Sequence, residues 1–127
     1  MIYGIGTDIV KVARLQKSME QNARMAEKLF TEAEIQYCES RAAKYQSYAA
    51  RFAAKEAVMK ALGTGWDERV HWQNIEIIKP EDSAPYVVLH HDTRAFAHEQ
   101  AIGKIHLSIS HEKDYATAFV VIEKTNS

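Results

Sequence analysis

The alanine-rich stretch from Arg41 to Leu62 constrains this chain more than any other segment. Alanine is the strongest helix former, and no proline or glycine intervenes before Gly63, so the stretch predicts one long helix ending at that glycine. Its small side chains let the helix pack closely against a neighbour. A second constraint stands at the amino terminus, where Ile2 to Val10 reads as a strand. Period two sets Tyr3, Ile5, Thr7 and Ile9 on one side and Gly4, Gly6 and Asp8 on the other. The glycines leave their side bare beside a carboxylate, with room for a ligand or for another backbone. Asp8 accordingly has two readings, as a ligand-facing carboxylate or as the cap of the following helix.

The remaining elements are shorter. Val12 to about Phe30 reads as a helix with a break. Ile75 to Ile78 and Tyr86 to Leu89 read as strands flanking a loop that contains Pro80 and Pro85. A weaker helix is expected from Thr93 to Ala101, then a hairpin of Ile105 to Ser110 and Tyr115 to Ile122 closed by HEKD. Strands and helices mix without a regular βαβ alternation. We therefore expect the α+β class: one domain over residues 1–127, with the long helix packed on a mainly antiparallel sheet. A chain of 127 residues that is 46% hydrophobic and 26% charged can support such a core without disulfides. The single cysteine, Cys38, excludes an internal disulfide and a multi-cysteine zinc site, and reads as a half-buried helical residue. A net charge of −1 supplies no whole-protein field for nucleic acid. MIYGIGTDIV, with an aspartate, two glycines and no basic start, does not read as a secretory leader, and no apolar run reaches membrane length, so we expect a cytoplasmic protein with neither nucleic-acid nor membrane partners.

Several side chains fall into patterns that suit chemistry. On the long helix Phe52, Glu56 and Lys60 lie at i, i+4 and i+8 and share a face. Glu56 and Lys60 read either as a solvated pair worth a few tenths of a kcal/mol or as half of a metal–polyphosphate site. In the second reading the carboxylate binds the cation and the ammonium binds phosphate oxygens. Mg²⁺ is held by one or two carboxylates plus substrate phosphates, so Asp8 with Glu56 is a sufficient set. Gly63-Thr64-Gly65 either presents backbone N–H groups to phosphate or simply stops the helix. No Walker loop is present, and Ile9 in the third-glycine position excludes a dinucleotide fingerprint. In IHLSISH, His106, Ser108 and Ser110 share the face opposite Ile105, Leu107 and Ile109, as a site lining or as an ordinary exposed face. His111 sits at the turn and reads as no more than its cap. His90 and His91 point apart on a strand and do not chelate one metal. Arg14, Lys17, Gln21, Arg24 and Lys28 form a stripe opposite Val12, Leu15, Met19, Ala23, Ala26 and Phe30. That stripe is either a solvated face or a dock for an acidic protein.

Taken together, GIGTDIV, RFAAKEAVMKALGTG and HLSISHEKDYATAFVV resemble the holo-acyl-carrier-protein synthases, the short bacterial-type branch of the 4′-phosphopantetheinyl transferases. The family's G-x-D is matched by Gly6, Thr7 and Asp8. Its [FW]-x-x-K-E-[AS]-x-x-K is matched by Phe52, Lys55, Glu56, Ala57 and Lys60. The resemblance implies transfer of the phosphopantetheine arm of coenzyme A to a serine of apo acyl carrier protein, releasing adenosine 3′,5′-bisphosphate. It implies Asp8 and Glu56 as Mg²⁺ ligands, and Asp8, Glu56 and Lys60 as the catalytic set, with Glu56 the candidate base. Lys60, His106, Arg51 and Gly65 are expected to bind the coenzyme, His106 at a site shared between subunits of a homotrimer. Arg14, Arg24 and Lys28 are expected to dock the acidic carrier. The chain departs from the family at Ser83-Ala84-Pro85, where Gly-Lys-Pro is usual, at Lys11, often acidic, and at Gln21, which interrupts the basic stripe. Two other classes use the same residues: a different Mg²⁺-dependent phosphoryl enzyme, and a non-catalytic trimer that binds an acidic protein.

Overall fold

A computed structural model describes residues 1–64 and 69–125. Strand β1 (Ile2–Lys11) leads directly into α1 (Val12–Gln21) and α2 (Met25–Leu29). Next come α3 (Glu32–Glu39) and the long helix α4 (Lys44–Leu62). A 3₁₀ turn at Trp72–Asn74 precedes β2 (Ile75–Ile78) and β3 (Tyr86–Leu89). The chain closes with α5 (His91–Glu99), β4 (Ile102–His111) and β5 (Tyr115–Lys124). The strands form two antiparallel sheets, β1-β5-β4 and β2-β3, which matches the expected α+β architecture.

Helix α4 covers one face of the three-stranded sheet, and the amino-terminal glycines explain how closely. A Cβ added at Gly4 would sit 2.0 Å from the Ala61 carbonyl oxygen, and one at Gly6 2.0 Å from that of Ala57. The bare side of β1 thus receives another backbone. Ala53, Ala57, Ala61, Ala118, Val120 and Ile122 fill the interface and are buried. At its far end α4 stops at Gly63, which adopts φ 82°, the left-handed cap that glycine reaches without strain.

The other face of this sheet has no cover from the described residues. Register places Ile5 opposite Val121 and His106, Thr7 opposite Phe119 and Ser108, and Ile9 opposite Thr117 and Ser110. Ile5, Ile9 and Phe119 are 69%, 64% and 61% exposed. The ordinary rule that a strand's apolar side faces the core is inverted along β1.

Several expectations are corrected. Helix α4 begins at Lys44 rather than Arg41, and α5 runs from His91 to Glu99 rather than from Thr93 to Ala101. Asp8 caps nothing: it lies inside β1, and α1 starts after Lys11 with no side-chain cap. The break in the first helical region falls at residues 22–24, so Ala23 is exposed instead of continuing the apolar stripe. Helix α3 was not expected. Its start is a capping box, in which Thr31 Oγ1 accepts from Glu34 N–H (3.2 Å) and Glu34 accepts from Thr31 N–H (2.9 Å).

Glu34 also anchors the core. Its carboxylate meets the Lys55 ammonium at 2.7 Å with both side chains essentially fully buried. Lys55 further donates to the carbonyls of Trp72 (2.7 Å) and Ile75 (2.6 Å), while Glu34 accepts from Ile77 N–H at 2.8 Å. The pair therefore ties α3, α4 and β2 together. Cys38 on α3 is wholly buried rather than half-buried, and burial pushes its thiol pKa up to about 12.

Candidate active site

The close approach of β1 to α4 brings Asp8 from the strand against Glu56 and Lys60 from the helix. The Lys60 ammonium lies 3.0 Å from Asp8 Oδ1 and donates to the Thr7 carbonyl, also at 3.0 Å. Lys60 therefore bonds across to the strand rather than back to Glu56. Burial first, and then the charge of Asp8, push the Glu56 carboxyl above its ordinary range, with Lys60 opposing. Both carboxylates line a cleft of about 320 Å³ whose other walls include Lys11, Arg14, Met25 and Phe52. Phe52 is held by a stack on Trp72, with ring centroids 5.1 Å apart and planes 17° from parallel. Trp72 is in turn fixed by its carbonyl on Lys55.

A metal fits this donor set. Two neighbouring carboxylates, one with its pKa raised by burial and by the other's charge, are poorly compensated by one half-exposed ammonium. A divalent cation would relieve that repulsion; among the described residues no group of three or more metal-ligating side chains comes together, here or elsewhere. Two carboxylates alone suit Mg²⁺, which takes its remaining ligands from phosphate and water.

The other expected residues are dispersed. Arg14 on α1 stands in the wall of the acidic cleft. Arg24 is exposed in the turn before α2, and Lys28 borders a separate cleft with Leu29 and Trp72. The basic residues thus span two short helices and a turn. His106 lies on the open face of the sheet, paired with Glu123, whereas Asp8 faces α4 on the other side. Within one protomer the two do not meet. Gly65 lies outside the described residues.

Arg51 is 95% buried, and its guanidinium stands 4.0 Å over the Tyr37 ring. Its Nε has no hydrogen-bond partner among the described residues. It lines a smaller cavity with Ser47, Lys79, Pro85, Ile109 and His111. The Lys79 ammonium donates to the carbonyls of Pro80 (2.8 Å) and Ser83 (2.7 Å), so a cation still borders the loop that lacks the usual lysine. Neither Lys79 nor His111 was among the expected site residues. The signal for His111 was present: period two places it with Ile105, Leu107 and Ile109 on the helix side, where its Nδ1 comes within 3.2 Å of Gln46 Oε1 on α4.

Known proteins resemble the chain over nearly its whole length. A family model described as the 4′-phosphopantetheinyl transferase superfamily matches residues 4–120. The holo-[acyl-carrier-protein] synthase of Moorella thermoacetica is 44% identical over 122 residues, covering 96% of this chain and 94% of its own. The crystal structure of holo-[acyl-carrier-protein] synthase from Neisseria meningitidis superposes with TM-score 0.91 at 37% identity, over 98% of this chain and 100% of that one. The Helicobacter pylori holo-[acyl-carrier-protein] synthase in complex with coenzyme A gives 0.82 at 32% identity, over 94% and 99%.

Proposed function

The chain belongs to the 4′-phosphopantetheinyl transferase superfamily, within its holo-[acyl-carrier-protein] synthase branch, and from that premise we propose the reaction and the roles that follow. The enzyme transfers the 4′-phosphopantetheine moiety of coenzyme A to a serine of apo acyl carrier protein. The reaction depends on Mg²⁺ and releases adenosine 3′,5′-bisphosphate. The observation that carries this reading is the cleft itself, where Asp8 and Glu56 share a wall with Arg14. A diphosphate bound through a cation on these carboxylates would therefore lie beside a residue placed to meet an acidic protein.

The chemistry is displacement at phosphorus by a serine oxygen, which calls for charge neutralisation and in-line positioning more than covalent help. Asp8 and Glu56 would hold Mg²⁺, which when bound neutralises the diphosphate and polarises the phosphorus under attack. Lys60 leaves its contact with Asp8 to neutralise a diphosphate oxygen. Glu56, its pKa raised by burial, accepts the serine proton. Coenzyme A carries a second anionic group, the 3′-phosphate. The unpartnered Arg51 Nε, together with Lys79 and His111, suits it.

The protein acts as a homotrimer, joined through the open sheet face that carries Ile5, Ile9 and Phe119. Such an assembly also brings His106 of one copy toward a neighbour's site, which its place in a single protomer does not allow. No helix among the described residues is long and apolar enough to cross a membrane, consistent with a cytoplasmic enzyme.

Intact-protein mass spectrometry of apo acyl carrier protein, incubated with this protein, coenzyme A and Mg²⁺, tests the reaction. We expect a gain of one phosphopantetheinyl group, abolished by EDTA and by Asp8→Ala or Glu56→Ala in folded variants. Transfer that survives EDTA would remove the metal. No transfer to any of several carriers would overturn the reaction.

A further inference from the structure

A second concavity lies away from the acidic cleft and shares no lining residue with it. It is a groove of about 1090 Å³ between α5, the edge of β4 and strand β3. Its lining combines two kinds of side chain. Its floor is aliphatic, from Val87 and Leu89 on β3, Ala97 on α5, and Ile102 and Ile105 on β4. Its lining carries two cations, Arg94 on α5 and Lys104 on β4, and the imidazoles of His91 and His98 fall with Arg94 at i, i+3 and i+7 of α5, one polar stripe. The one carboxylate in the lining, Glu99, is held by a two-pronged contact with the Arg69 guanidinium. The Arg94 guanidinium pairs with no described residue.

Helix α5 is also pinned at both ends by conformations that non-glycine residues rarely adopt. His91 opens it at φ 50° and Ala101 follows it at φ 57°. Strain of this kind persists where surrounding structure fixes the chain path, and here it fixes how the polar stripe sits over the floor.

An aliphatic floor bordered by cations complements a molecule with an anionic head and a hydrocarbon tail. A wholly polar anion gains nothing from Val87, Leu89 and Ile105, and a neutral apolar ligand leaves the cations unused. We propose that this groove binds an anionic amphiphile, a medium- or long-chain carboxylate or alkyl phosphate, with the head on Arg94 and the tail along the β3–β4 floor. The inference is independent of the transferase reading.

Isothermal titration of the full-length protein with acetate, hexanoate, octanoate, decanoate and decanol, each below its micellar concentration, tests it. Affinity should rise about fourfold per added methylene from hexanoate to decanoate. Acetate and decanol should bind at least about tenfold more weakly than decanoate. Arg94→Glu, an exposed substitution outside the catalytic set, should weaken decanoate about tenfold or more without changing transfer to the carrier. Equal binding of decanol, no dependence on chain length, or an unchanged affinity in Arg94→Glu would each overturn the proposal. Titration with vesicles containing anionic phospholipid separates the sources: binding to vesicles with none to monomeric decanoate would make this a membrane-contact surface and refute the groove.

Discussion

Replacing Gly6 with alanine tests the link between packing and chemistry most directly. The new Cβ would lie 2.0 Å from the Ala57 carbonyl oxygen, where real Cβ atoms keep at least 3.0 Å. The three nearest atoms, the Ala57 carbonyl oxygen and carbon and the Ala61 nitrogen, are all backbone, so β1 and α4 must separate locally by about 1 Å. Overpacking of this kind costs about 1–3 kcal/mol, a melting temperature roughly 5–10 °C lower for a domain of this size. The functional cost is larger, because Ala57 directly follows Glu56 and Gly6 lies two residues before Asp8. A 1 Å misplacement can lower a rate on the order of 100-fold, and Mg²⁺ demands near-ideal geometry. Gly4→Ala is the matched control: it meets Ala61 at the same 2.0 Å but lies farther along β1 from Asp8. The two variants should lose similar stability by thermal denaturation. In the mass-spectrometric transfer assay, Gly6→Ala should show the much lower rate and the weaker Mg²⁺ half-saturation. A Gly6→Ala enzyme with rate and Mg²⁺ dependence within about twofold of the parent would refute the idea that this approach sets the site.

Three further outcomes are expected. The raised Glu56 pKa means that protons compete with the metal at a higher pH than at an ordinary glutamate of about 4.3. Mg²⁺ affinity should therefore weaken, as pH falls, through a window above that value, and Mg²⁺ titrations from pH 4.5 to 7.5 will locate it; a midpoint at the ordinary value would contradict the raised pKa. Lys55→Met should cost about 3–5 kcal/mol by urea unfolding, because it leaves the Glu34 carboxylate buried without its partner. Adding Glu34→Gln should recover part of that loss, and strictly additive costs would mean that the pair is not coupled. Charge reversal at Arg14 and Arg24 should raise KM for the carrier roughly tenfold while leaving KM for coenzyme A nearly unchanged, more so at low salt; equal effects on both substrates would argue against docking there.

What could be read from the residues followed the range of the interactions that decide them. The Gly4–Gly6 face, the stop at Gly63 and the strands Ile75–Ile78 and Tyr86–Leu89 depend on local periodicity and backbone freedom, and all were legible. Helix α3 was legible in principle, since Thr31 and Glu34 spell a capping box, but its apolar periodicity is too weak to announce it. The side on which Lys60 pairs was not legible, because bonding to Asp8 instead of Glu56 depends on how near β1 lies. Nor was the role of Lys55. A motif lysine beside a candidate metal ligand invites a catalytic reading, yet its ammonium is spent on Glu34 and two carbonyls contributed from distant parts of the chain. His106 and Asp8 could be assigned to faces from period two alone, but only the position of α4 shows that those faces are opposite sides of one sheet.

A three-stranded sheet with a helix on one side is half of a sandwich. Holding Ile5, Ile9 and Phe119 against water costs each isolated chain apolar burial that a covered sheet would have gained. Any cover supplied by another molecule adds to the folding free energy in proportion to the logarithm of that molecule's concentration. In the homotrimer proposed above, the resistance of this fold to heat would therefore be a property of the solution as well as of the chain: dilution alone would lower it, with no change in sequence, pH or salt.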